Sequence, residues 1–264
     1  MLLTRALTAA VLLAAFLAAL LWLEPAVFAA VVAVIVGMGA FEWARLTRFT
    51  RVKSALYAAL CLLFFMLLRS DALLVPVLWA AVVFWTVLVP LWLIVGITPK
   101  ARAGMLVAGI VALVPAGLAM AALPPRYLLM ALGLVWIADT FAYLVGSSFG
   151  KRKLAPAISP GKSWEGAGGG AVGVLIYAII CATLDPVLEA RVQGVLWAPY
   201  LAGALLLCAA SVVGDLFESA LKRQAGAKDS GKLLPGHGGV LDRIDSAAAT
   251  LPLALLLLQA IGTT

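Results

Sequence analysis

Charge is scarce in this sequence. Asp, Glu, Lys and Arg make up only 12% of its 264 residues, hydrophobic residues make up 65%, and the mean hydropathy is +1.13. A soluble domain carries about twice that share of charge. The scarcity excludes a water-facing globule and makes the bilayer the main solvent. Cysteine is scarce too. Cys61, Cys181 and Cys208 lie far apart in apolar runs, which reads as buried free thiols rather than a disulfide framework or a metal site. Long polar stretches are absent: the two longest, about 148–165 and 222–243, leave no room for a soluble domain, and connections of that length are usually functional or disordered. No repeat or low-complexity linker is visible. No basic segment interleaves with aromatics, so the net charge of +7 does not indicate a nucleic-acid platform. The first apolar run, Ala6 to Leu23, has only Arg5 before it and no good cleavage site after it, so it reads as an uncleaved helix.

What is present is a series of apolar stretches. Nine spans, or eight, are expected, at about 6–23, 25–41, 54–68, 72–99, 103–125, 127–147, 166–184, 192–214 and 246–264, the third of them short. Most approach the ~20 residues that cross the hydrocarbon. Pro76 and Pro90 predict a tilt or kink in the long fourth span. With the N-terminus in the cytoplasm, 16 of the 19 Lys and Arg face inward, and only Arg69, Arg126 and Arg191 face outward. That bias supports a cytoplasmic N-terminus and an external C-terminus. The expected fold is all-α and polytopic: N-terminal membrane helices over 1–125, then a C-terminal catalytic membrane region over 126–264 carrying the two cytoplasmic loops.

The charge that does occur is concentrated. Between Ser219 and Asp245 stand five basic residues, three carboxylates and the chain's single histidine, His237. Charge beside a bilayer is costly and needs a reason. Asp215, Glu218, Ser219 and Lys222 follow i, i+3, i+4, i+7 spacing and share a helix face. Asp242 and Asp245 share another face at the start of the last helix. Interfacial caps and salt bridges would explain some of these, but carboxylate pairs on two helix ends exceed what caps require. Carboxylates bind a hard cation such as Mg²⁺, and Lys and Arg bind phosphates. Gly236, Gly238 and Gly239, flanking His237, let backbone approach an anion closely, or simply make a turn. His237 suits phosphate binding, proton transfer or an ordinary interfacial position equally.

Asp139 lies inside the sixth span and is a functional residue by default, or else the partner of a cation such as Lys162 or Lys222. The segment Ser159-Pro160-Gly161-Lys162-Ser163 is not a Walker A loop, because Pro156 stands where the first glycine is required. Gly168, Gly170 and Gly173 match a dinucleotide fingerprint in letters only and read as close helix packing. Packing through Gly166, Gly170 and Gly173 serves a homodimer or an internal contact equally well. The whole set suits metal-assisted transfer at a phosphorus centre between a membrane substrate and a water-soluble nucleotide.

The run Ser219 to Asp245 resembles the signature of the phosphatidate cytidylyltransferases (CDP-diacylglycerol synthases) at every defined position. The resemblance extends to Asp139-Thr-Phe-Ala-Tyr143 and to the Ser-Pro-x-Lys-x-x-Glu-Gly segment, where Gly161 replaces a usual Lys and Ser163 a usual Thr, while Lys162 and Glu165 are kept. It covers about the C-terminal half of the chain. It implies that CTP and phosphatidic acid react to give CDP-diacylglycerol and pyrophosphate at the cytoplasmic face of a bacterial inner membrane. It also implies Mg²⁺, held by Asp215 and Asp242 with Asp245 nearby, and a second cation, K⁺. By the same resemblance Lys222, Arg223, Lys228 and Arg243 hold phosphates, Ser219 and His237 orient phosphate or pyrophosphate, and Asp139, Lys162, Ser163, Glu165 and Asp229 belong to the substrate site. A phosphate nucleophile, with a second pKa of about 6, needs no strong general base.

Other classes fit less well. A transporter would use an intramembrane carboxylate such as Asp139, but transporters place their sites near the midplane, and most charge here lies at one rim. A binding scaffold would not need an intact carboxylate set. The Asp-rich run of the CDP-alcohol phosphotransferases is absent.

Overall fold

The computed structural model describes residues 2–96, 102–234, 236 and 238–263. The chain is built almost wholly of helix. The first half comprises α1 (Leu2–Trp22), α2 (Pro25–Leu46), α3 (Arg51–Leu67), α4 (Asp71–Val83), α5 (Val89–Val95) and α6 (Arg102–Ala122). The second comprises α7 (Pro125–Phe149), α8 (Trp164–Leu184), α9 (Pro186–Arg191), α10 (Trp197–Ala225) and α11 (Leu241–Ala260). Between α4 and α5 the backbone passes through one π-helical stretch, Phe84–Leu88. It lies just before Pro90, which has no N–H to continue an α-helical ladder. This is how the chain absorbs Pro90, whereas Pro76 stays inside α4.

Among the described residues, six segments are long and apolar enough to cross a membrane: Pro25–Leu46, Ala72–Val95, Ala103–Ala122, Pro125–Phe149, Trp164–Leu184 and Gly194–Ala225. Leu7–Trp22 is a shorter apolar helix, α3 has 17 residues, and α11 opens with Asp242, Arg243 and Asp245. An all-α membrane protein is therefore what the structure supports.

The axis of the molecule is α11. Every residue from Ser246 to Leu255 is buried, as expected of a helix covered on all sides. It packs against α10, α6, α4, α7 and α2, so both halves of the chain meet on it. A second junction forms around Phe217 of α10, which is fully buried. Trp43 of α2, Phe84 and Trp85 of the π stretch and Trp92 of α5 place their rings 5.7–5.9 Å from it. Such aromatic contacts fix geometry beyond simple burial. Trp43 also donates to the Met105 carbonyl at 2.8 Å, and the Tyr57 hydroxyl to that of Leu106 at 2.6 Å, which tie α2 and α3 to α6.

Helices α7 and α8 form a tight antiparallel pair. A Cβ on Gly170 would come within 2.9 Å of the Ala138 carbonyl oxygen, so glycine is what lets the two backbones approach. Gly166, Gly170 and Gly173 are thus packed against α7, while a Cβ on Gly168 would meet nothing within 4 Å. The connection expected as a polar loop is partly a β-hairpin: β1 (Lys153–Ala155) pairs antiparallel with β2 (Ser159–Ser163). At the hairpin end of α8, Ser163 caps the helix by accepting from the Gly166 N–H at 3.1 Å. Nearby, the Glu165 carboxylate accepts the backbone N–H groups of Lys151 and Arg152 at 3.1 Å. At the opposite end Asp185 caps α9 and lies 3.9 Å from Arg126 at the start of α7.

Candidate active site

A cavity of about 510 Å³ opens at the hairpin end of the bundle, between α7, α8, α10 and α11. Four carboxylates line it: Asp139 from α7, Asp215 from α10, and Asp242 and Asp245 from the first turns of α11. Lys162, Ser163 and Arg243 line it as well. Residues separated by more than a hundred positions are gathered because the end of α10, the start of α11 and the β2–α8 junction all arrive at one level.

The carboxylates are not equivalent. Asp215 Oδ2 is 2.7 Å from Lys162 Nζ, and its Oδ1 accepts from the Ser219 hydroxyl at 3.2 Å. Asp242 is far more heavily engaged. Its Oδ1 is 2.7 Å from Lys222 Nζ, and its Oδ2 accepts the N–H groups of Gly239 at 2.8 Å and Ser230 at 2.9 Å, with the Ser230 hydroxyl also at 2.9 Å. Burial works against the Asp242 carboxylate, but the Lys222 ammonium and the two N–H groups outweigh it and hold the pKa at about 2. Asp245 accepts one short backbone bond, from the Ser246 N–H at 2.8 Å. Burial and the charge of Asp215 push the Asp245 carboxyl upward. Lys222 also forms an ion pair with buried Glu218 one turn earlier on α10. Lys162 and Lys222 therefore bridge the elements of the site and neutralise part of its negative charge.

Other residues expected at the site fall in several places. Arg223 donates from Nε to the Ile158 carbonyl at 3.3 Å and holds the hairpin against α10. Glu165 and Ser163 organise the hairpin and the start of α8. Lys228 and Asp229 are exposed and do not line the cavity. His237 lies outside the described residues. One residue escaped the sequence reading: Glu42 of α2, buried, whose carboxylate enters the 230–241 segment. An acidic residue in an apolar run near a helix end was the available signal.

The donor set fits a hard cation. Asp139, Asp215 and Asp245 lie within electrostatic reach of one another, and such crowding is relieved by a shared positive charge. Among the described residues, no three carboxylates enclose a metal on their own. Mg²⁺ is commonly held by one or two carboxylates plus substrate phosphates rather than by an all-protein cage. The arrangement suits an ion shared with a polyphosphate.

A family model described as the cytidylyltransferase family matches residues 3–261. The chain is 42% identical over 280 residues to a phosphatidate cytidylyltransferase of Pseudomonas aeruginosa, covering 99% of this chain and 98% of that protein. Proteins of the same name from Haemophilus influenzae and Thermotoga maritima match over shorter stretches. The first is 49% identical over 122 residues, covering 45% of this chain and 41% of the relative. The second is 41% identical over 132 residues, covering 50% of this chain and 48% of the relative.

Proposed function

This chain belongs to the cytidylyltransferase family, and we infer that its reaction is the one its relatives are named for: transfer of the cytidylyl group from CTP to phosphatidate, giving CDP-diacylglycerol and pyrophosphate. The observation that carries this reading is the cavity. It gathers four carboxylates with Lys162 and Arg243 at one rim of an apolar helix bundle. A phosphate oxygen of phosphatidate attacks the α-phosphorus of CTP, the bond to the bridging oxygen of the β-phosphate breaks, and pyrophosphate leaves with that electron pair.

Asp215 and Asp245 would hold Mg²⁺, and Asp242, expected as a ligand together with Asp215, takes a supporting role because four donors already engage it. Mg²⁺ bound there would neutralise triphosphate charge and align the α-phosphorus. In this reading Asp242 supports the metal pair and aims Lys222. Lys162, Lys222 and Arg243 counter the charge that builds on the phosphates, and a K⁺ ion would add to that set. Tyr143 lines the cavity and is 74% exposed, which puts the cavity beside the outer surface of the bundle, where the lipid phosphate would enter from the bilayer.

The same reading has α1, α3 and α11 crossing the membrane too. That makes nine spans with the N-terminus and the site facing the cytoplasm of a bacterial inner membrane, in keeping with the 16 Lys and Arg on that side. The test is pyrophosphate release from purified protein in lipid nanodiscs. Release should require CTP, phosphatidate and Mg²⁺ together; release from CTP without phosphatidate would make the chain a nucleotide hydrolase instead.

A further inference from the structure

We propose that Glu42, in the half of the chain that the site motifs do not reach, is a positioning residue for the transfer site. The proposal rests on the reaction assigned above. Glu42 lies near the end of α2, 188 positions before its first partner in the signature segment, and is only 6% exposed. Its Oε2 accepts from the Ser230 hydroxyl at 3.0 Å and the Leu241 N–H at 2.9 Å, and its Oε1 accepts from the Val240 N–H at 3.1 Å.

These are the groups a helix start leaves unsatisfied. Helix α11 begins at Leu241, and Val240 before it supplies no side-chain cap. Glu42 provides that cap from another helix, placing a negative charge at the positive end of the α11 dipole. It also holds both ends of the 230–240 segment on one side chain. The adjoining glycines are shaped to it: a Cβ on Gly231 or Gly239 would collide with the Glu42 carboxylate.

From Glu42 the contacts run directly to the site. The Ser230 hydroxyl lies between Glu42 Oε2 and Asp242 Oδ2, and Asp242 holds Lys222. Asp245 stands one turn further along the helix that Glu42 caps. Glu42 does not itself line the cavity. Its effect on the reaction therefore passes through the placement of Asp242, Asp245 and Lys222. A network of this kind fixes the geometry of a site only while each member is satisfied.

The test compares wild type, E42Q and S230A in nanodiscs by amide hydrogen exchange and steady-state turnover. E42Q keeps the shape of the side chain but loses the charge and one acceptor oxygen. We expect the amides of 239–241 to exchange at least tenfold faster, with those of α7 and α8 at the far end unchanged. We expect kcat to fall at least tenfold at an unchanged KM for phosphatidate. S230A removes one link and should shift both readouts in the same direction by a smaller factor. The effects of the two substitutions should be less than additive in the double variant. Wild-type exchange and kcat in E42Q would overturn the proposal, as would faster exchange with unchanged kcat or a lost kcat with unchanged exchange. If E42Q does not fold, wild-type behaviour of S230A overturns it. Should wild type itself transfer nothing, the reaction assignment fails, while the exchange measurement still decides whether Glu42 holds the segment.

Discussion

Helices α7, α8, α10 and α11 enclose a cavity at each end, and the two differ in kind. At the hairpin end, about 510 Å³ is lined by four aspartates, Lys162 and Arg243. At the other end, about 350 Å³ is lined by Tyr127, Leu134, Tyr177, Tyr200, Leu207 and Leu257, with Arg191 as the one charged residue among the described residues that line it. Helix packing alone thus produces two spaces of similar size. Only at one end do the side chains carry more negative charge than their lysine partners neutralise, and that excess is useful only with a cationic or metal-bound ligand. Burying charge is costly unless it is paired, so the hairpin end suits a cationic or metal-bound ligand, whereas the apolar lining of the far end calls for none.

That contrast can be broken by substitution. The largest effect is expected from Asp245→Asn. Turnover should fall at least ~10³-fold, in the range of losing a major electrostatic contribution to the transition state, and the Mg²⁺ concentration for half-maximal rate should rise. Stability should hold or increase, because one member of a crowded carboxylate set is neutralised. A rate near wild type with unchanged Mg²⁺ dependence would take Asp245 out of the metal pair. Lys222→Ala should lose turnover by orders of magnitude and also destabilise the fold by about 3–5 kcal/mol, since buried Glu218 and Asp242 lose a shared partner. Thermal unfolding with and without Mg²⁺ and CTP separates the two effects.

Gly170→Leu sharpens the comparison from the scaffold side. The larger side chain must push α8 away from the Ala138 carbonyl, at a cost of about 1–3 kcal/mol. A denaturation midpoint equal to wild type would show that α7 and α8 are not packed this closely. The smallest effect belongs to the far end. Tyr200→Phe removes a 2.9 Å hydrogen bond to the Ala178 carbonyl, worth about 1 kcal/mol, and should leave turnover within twofold of wild type. A tenfold loss there would mean that the far cavity takes part in the reaction.

Much of the hairpin end was legible in the sequence. The i, i+3, i+4, i+7 spacing on α10 and the Asp242/Asp245 pair on α11 place themselves on helix faces once the helices are recognised. The contrast of charged and apolar stretches marks the membrane segments. Three things were not legible. Lys162 could be assigned to Asp139 or to other carboxylates, and the choice of Asp215 depends on how the β2–α8 junction meets α10. The hairpin at 153–163 is short, and its strands alternate too weakly to stand out from a polar loop. Glu42 resembles an ordinary charge near the end of a span. Its importance comes from backbone N–H groups nearly two hundred positions away, which no local pattern encodes. Asp242 shows the same limit: the family pattern implies a metal ligand, and the four donors that meet its carboxylate are visible only in the fold.

The most direct test of the account follows label from CTP into lipid. Purified wild type, Asp245→Asn and Tyr200→Phe would each be given CTP labelled at the α-phosphate, phosphatidate and Mg²⁺. The account predicts lipid-soluble label from wild type and Tyr200→Phe at comparable rates and almost none from Asp245→Asn. Equal labelling by all three, or loss at Tyr200→Phe with Asp245→Asn active, would contradict the assignment of the reaction to the hairpin end of the bundle.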